Sequence, residues 1–180
     1  MKYQKIDSNL FIKNRKNFLG RMKPNSIAFF NSNDIYPVSA DSTLPFEQHR
    51  DIFYLSGVDQ EESVLMLCPS CSDQNLREVL FLKETDEHIA VWEGPKLNKK
   101  QAFETSGIKS VFWLDEMENI IDKVMNECET IYYNHNEHYR AKIEMETREE
   151  RFNKWLEGKY PNKLKERSNP ILQHFRSIKD

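Results

Sequence analysis

At 180 residues, with 38% hydrophobic and 31% charged side chains, the chain is long enough for one full core beneath a heavily charged surface. A formal net charge of −3 gives a nucleic-acid partner no general electrostatic support, and no basic patch with interleaved aromatics offsets this. The charge-broken N-terminus lacks the apolar stretch of a secretory signal, and no run approaches the ~20 apolar residues of a membrane span. The expected compartment is therefore the cytoplasm, with no membrane partner, and the three cysteines are expected as reduced thiols.

In chain order, Asp7-Ser8-Asn9 offers caps to a first helix with Phe11, Phe18, Leu19 and Met22 on its apolar face and Arg15, Lys16 and Arg21 on its wet face. Lys23-Pro24-Asn25 stops it. Ser26 to Asn31, SIAFFN, reads as a buried strand, and Asn31 to Asp34 with Pro37 breaks the pattern. Next comes a polar loop with Asp41, then two apolar runs, Asp51 to Ser56 and Ser63 to Cys68, which read as neighbouring strands joined by a turn. A polar loop at the mouth of a sheet is a common place for ligand contacts.

Pro69 to Asn75 is turn-rich, and Glu78 to Lys83 reads as a strand, antiparallel to its neighbour in a mixed sheet. Gly94-Pro95 ends the segment His88 to Glu93. Asn98 caps a short helix containing Ala102 and Phe103, with Gly107 just past its end. Ser110 to Leu114 reads as a strand, and Asp115 with Glu118 resembles a capping box. Met117, Ile120, Ile121, Val124, Met125 and Cys128 mark the cleanest amphipathic helix. Thr130 to Tyr133 is a further strand. Tyr139 to Leu156 reads as one long, charged surface helix, ended by Gly158 to Asn162. Its run Glu144 to Arg151 reads as a solvated face with i,i+4 pairs such as Glu144 with Arg148. Pro170, Ile171, Leu172, Phe175 and Ile178 permit one more short helix. Alternating helices and strands give an α/β class: a mixed β-sheet flanked by α-helices.

Three stretches carry a resemblance. Pro45, Phe46, Gln48, Asp51, Phe53, Tyr54, Leu55 and Gly57 follow the pattern of the N-terminal domain of aminopeptidase P, the Xaa-Pro aminopeptidases of the creatinase and prolidase family. Glu47 departs from it where the family has Arg, as does Ser56 where it has Thr. Ser39-Ala40-Asp41-Ser42 and Trp92-Glu93-Gly94 match two further elements, and Arg176, Ile178 and Lys179 resemble the family's linker. The resemblance implies a creatinase/prolidase N-terminal fold with a ribonuclease-H-like motif over residues 1–166, and over 167–180 the start of a linker to a catalytic domain. That second domain would hold two divalent metals, usually manganese, on two Asp, one His and two Glu. Those motifs are absent from residues 1–180, so this stretch is expected to hold neither catalytic residues nor metal and to be inactive alone.

The same resemblance implies that Asp41 and Trp92 bind substrate, a peptide with proline in second position. A carboxylate suits a peptide's α-amine, cationic below a pKa of about 8. An indole suits a prolyl ring because it is flat, apolar and low in rotamer entropy. Taken as a residue type alone, Asp41 reads first as an Asx-turn or helix-cap residue in a polar loop, and Trp92 has the alternative of packing in its own core. The implied assembly is a homo-oligomer, dimer or tetramer, in which the domain meets its own catalytic domain, shapes the cleft and makes subunit contacts. The alternative is a peptidase-like module that binds peptides or proteins without cleaving them.

Cys68-Pro69-Ser70-Cys71 has C-x-x-C spacing, but no second pair exists to complete a zinc site, and free thiols on a hairpin turn are expected. His135 and His138 lack an evident third ligand, and His49, His88 and His174 read as surface or satisfied histidines.

Overall fold

The run SIAFFN is apolar without alternation, which suits a strand covered on both faces. In the computed structural model, which describes residues 6–40, 42–86, 88, 90–91, 94–135 and 146–177, this run is β1 (Ser26–Asn31), with every residue buried. Its neighbours are β4 (Val64–Leu67), antiparallel, and β7 (Thr130–Tyr133), parallel. Beyond β4 lie β5 (Glu78–Leu82), antiparallel to it, and β6 (Ser110–Trp113), parallel to β5. Beyond β7, β8 (Leu164–Arg167) closes the six-stranded mixed sheet, in order β6-β5-β4-β1-β7-β8.

Side-chain alternation along the strands divides the core in two. Ile27, Phe29, Met66 and Phe81 face α4 (Met117–Met125) and α5 (Arg148–Lys159), which contribute Ile121, Val124, Phe152 and Leu156. Ala28, Phe30, Leu65 and Leu80 face the other layer: Phe18 of α1 (Ser8–Leu19), Ile52 and Leu55 of α2 (Arg50–Ser56), Ala102 of α3 (Lys99–Ser106) and Leu172 of α6 (Asn169–Ser177). Helices thus cover both faces of the sheet. Among the described residues, no helix is long and apolar enough to cross a membrane.

Capping follows the sequence at the starts of α1 and α3. Asp7 accepts from the Asn9 amide, and Asn98 with Gln101 forms a reciprocal capping box. The expected box at Asp115 and Glu118 does not form. Glu116 accepts from the Trp113 amide instead, because a short 3-10 turn, Leu114–Glu116, precedes α4 and shifts the N-terminal geometry.

Three further expectations are corrected. The run Asp51 to Ser56 is helix α2, not a strand. His49 accepts from the Asp51 amide at its start, Gly57 adopts φ 70° just past its end, and buried Asp51, Ile52, Leu55 and Ser56 share one helical face. Its aromatic and β-branched residues suggest a strand, but caps at both ends and a one-sided core impose the helix. Arg15, expected on the wet face of α1, is fully buried. Finally, α5 runs on through Gly158 to Lys159, and its first turn is not fully solvated, since Glu149 is buried. The earlier part of that expected long helix, including Glu144 and Met145, lies outside the described residues.

Candidate functional site

Five of the six strands run the same way, with β4 reversed, so the carboxyl ends of β1 and β7 emerge together at one edge. Crevices outside such carboxyl ends are where α/β sheets commonly hold ligands. Chain leaving β1 passes through Asn33 and Asp34 into a small antiparallel ribbon, β2 (Pro37–Ser39) and β3 (Ser42–Thr43). The ribbon is exposed, and at its turn Ala40 takes φ 48°, a left-handed conformation uncommon for a residue with a Cβ.

Between this ribbon's base and the N-terminus of α5 lies a cavity of about 370 Å³, lined among others by Asp34, Tyr36, Leu44, Pro45, Glu47 and Arg148. Thr147 caps α5 by accepting from the Glu150 amide at 3.2 Å. Arg151 donates to both Asp34 carboxylate oxygens, at 3.0 and 2.8 Å, and so pins the end of β1 to α5.

Past the end of β7 is a buried polar cluster. Asn134, just past β7, donates to Asp51 at 3.1 Å and accepts from the Asn169 amide at 2.6 Å, while its carbonyl accepts from Asn153 at 2.6 Å. Gln48 donates to the Val58 and Gln60 carbonyls at 3.0 and 2.9 Å and accepts from the His49 amide at 2.7 Å. Two polar residues of the recognised pattern, Gln48 and Asp51, therefore hold the chain around α2 in place.

Glu149 faces the same cluster, with one oxygen 3.7 Å from His49 Nε2. Burial first, and then the charges of Asp51 and Glu150, push its carboxyl up to about 8. An acid raised in the fold from an ordinary value of 4.5 binds its proton more tightly when folded. Its stabilising effect is complete at low pH and is lost as pH climbs through that window. Glu149→Gln is expected to leave stability nearly unchanged at about pH 4 and to raise it by roughly 4 kcal/mol at about pH 8. Urea unfolding of both proteins at the two pH values checks this; equal stabilities at the higher pH would contradict it.

Asp41 and Trp92, the two substrate-binding expectations, lie outside the described residues, as does His138. Cys68, Cys71 and Cys128 are free and buried, with the Cys68 and Cys128 sulfurs 3.3 Å apart. That contact, then burial, pushes the Cys68 thiol above its usual range. Among the described residues, no group of three or more His, Cys, Asp or Glu side chains could hold a metal.

Arg148 and Glu149 escape a reading of their run as a solvated charged face, and Asn134 is not singled out at all. A signal was available for Glu149: it shares a face, at i+3 and i+7, with the apolar Phe152 and Leu156.

Residues 11–132 match the family model described as aminopeptidase P, N-terminal domain. The chain belongs to this family. The aminopeptidase P N-terminal domain is 28% identical over 152 residues to Xaa-Pro aminopeptidase 3 of Rattus norvegicus, covering 82% of this chain and 29% of the relative. It is 27% identical over 138 residues to Xaa-Pro aminopeptidase of Escherichia coli K12, covering 77% and 31%. The chain thus spans about a third of these relatives' length. In solved structures the fold is shared with Escherichia coli aminopeptidase P in complex with the inhibitor Pro-Leu, at TM-score 0.77, 22% identity and coverage of 98% and 40%. A zinc-substituted form of that enzyme in complex with product matches at TM-score 0.75, with the same identity and coverage.

Proposed function

We propose that this domain is the non-catalytic N-terminal part of a metal-dependent, cytoplasmic Xaa-Pro aminopeptidase that removes an N-terminal residue preceding proline. The observation that carries this reading is the family match across residues 11–132, joined to relatives named Xaa-Pro aminopeptidase of which this chain spans about a third. The catalytic half, with two divalent metals, manganese by the resemblance, would follow residues 167–180. The domain's own task would be to wall the cleft, contact its catalytic domain and join subunits into a homo-oligomer.

In this reading the Asp41 carboxylate would meet the cationic α-amine of the peptide, and the Trp92 indole would offer an apolar wall to the prolyl ring. A shaped cleft that excludes water selects by what fits, so short unstructured peptides enter and folded chains do not. In the longer polypeptide, Asp41→Ala is expected to lower turnover of Xaa-Pro peptides about tenfold, the loss of one charge-assisted contact. Trp92→Ala is expected to lower it as well, and bound metal should stay at the wild-type level in both. Steady-state kinetics with metal analysis decides: wild-type kinetics in both variants refutes the two assignments. Peptide binding without turnover in the unmodified protein would favour the binding-module alternative.

A further inference from the structure

We infer that the cavity at the carboxyl end of β1 receives the C-terminal carboxylate of a short peptide on the guanidinium of Arg148, with Tyr36, Leu44 and Pro45 walling the peptide's last side chain. The choice of a peptide rests on the Xaa-Pro reading; the carboxylate and the apolar wall rest on the cavity itself.

Arg148 is the first residue of α5 and lines the cavity half-buried. Its Nε is buried without a hydrogen-bond partner. Among the described residues no carboxylate lies within ion-pair distance of it, although Asp34 and Glu62 both act on it. Each of those acids is engaged elsewhere: Asp34 gives both oxygens to Arg151, and Glu62 lies 3.7 Å from Lys83. Guanidinium stays protonated at any physiological pH, so among the described residues this half-buried cation has no anion within ion-pair distance. Its planar fork matches a carboxylate in two parallel bonds.

The rest of the lining discriminates between anions. Leu44 is 55% and Tyr36 38% exposed, apolar surface that a peptide's last side chain would cover and inorganic phosphate would not. Asp34 and Glu47 also line the cavity, and two carboxylates oppose a dianion more strongly than a monoanion. At about 370 Å³ the space suits one or two residues rather than a folded partner. The site therefore favours peptides that end close to the cleft, with an apolar last residue.

The test is calorimetric titration of residues 1–180 with Ala-Pro-Leu as the free acid, as the C-terminal amide, and with inorganic phosphate as competitor. The acid is expected to bind about tenfold more tightly than the amide, the effect of one charge-assisted pair. Arg148→Gln should bring the acid down to the amide's level, Arg148→Lys should keep part of the preference, and phosphate should not displace the peptide. Equal binding of acid and amide, an unchanged preference in Arg148→Gln, displacement by phosphate, or no binding of the acid at millimolar concentration each overturns the inference. Should Arg148→Gln unfold, the acid and amide comparison in wild type and Arg148→Lys decides alone. Binding is read without cleavage. Loss of the acid preference therefore refutes this subsite and leaves the Xaa-Pro reading to turnover, while absent turnover with the preference intact refutes only that reading.

Discussion

Arg15→Ala is expected to lower the unfolding free energy by about 3–5 kcal/mol, the cost of breaking a buried charge network by removing one partner. The side chain is buried in α1 and makes three bonds: Nε to Glu78 at 2.8 Å, and one terminal nitrogen to the Leu55 and Ser106 carbonyls at 2.8 and 2.9 Å. Those carbonyls belong to the last turns of α2 and α3, where backbone oxygens have no partner within the helix and a cation meets the negative end of the dipole. Loss of Arg15 would orphan both and leave Glu78, one-third exposed, without its cation. Glu78→Gln removes only the partly solvated acid and should cost about 1 kcal/mol. Urea unfolding of the two variants measures the contrast; a cost below 1 kcal/mol for Arg15→Ala would show that the network is dispensable.

Gly57→Ala is expected to cost about 2–4 kcal/mol, from a left-handed backbone and an overfilled site together. Gly57 takes φ 70°, and a Cβ there would fall 2.2 Å from Phe11 Cε2. The ring belongs to α1 and is buried, so it has little room to retreat. Combining Gly57→Ala with Phe11→Ala separates the terms: the double variant should cost less than the sum of the singles, because the collision is gone while the backbone strain remains. Strict additivity would remove the collision from the explanation.

The ends of α2 and α3 are built alike. Ser56 and Ser106 each donate to the carbonyl four residues back and accept from the amide two residues on, and Gly57 and Gly107 follow with φ 70° and 72°. Helix α1 lies against both ends, Phe11 over Gly57 and Ile12 over Gly107, with Arg15 bridging the two sets of carbonyls. One helix thereby orders a whole layer.

What could be read from residues alone follows from where the chain's information is local. β1, β4, β5, β6 and β7 declare themselves as short apolar runs, and α1, α3 and α4 by periodicity and caps. α2 does not, because seven residues rich in aromatic and β-branched types satisfy a strand pattern equally well, and the caps at His49 and Gly57 together with packing on Phe30 and Leu65 settle the matter. β8, with the sequence LKER, has no apolar alternation; pairing with β7 makes it a strand. The β2–β3 ribbon is likewise fixed by its turn rather than by composition.

The candidate site divides the same way. Gln48 and Asp51 lie in a recognisable pattern, and the structure gives them tertiary hydrogen bonds. Arg148 and Glu149 sit in a run of alternating charge whose ordinary meaning is a wet helix face. Their importance arises only because α5 lays that face over the end of β1, a long-range fact that residues 148–151 do not encode by themselves.

The measurement that bears most directly on the proposed division of labour is hydrolysis of a peptide with proline in second position, by residues 1–180 alone and by the same residues joined to their catalytic half, with divalent metal supplied. Turnover by the joined protein, and none by residues 1–180, is the expected result. Robust turnover by residues 1–180 alone, or a transition metal held tightly by them, would contradict it.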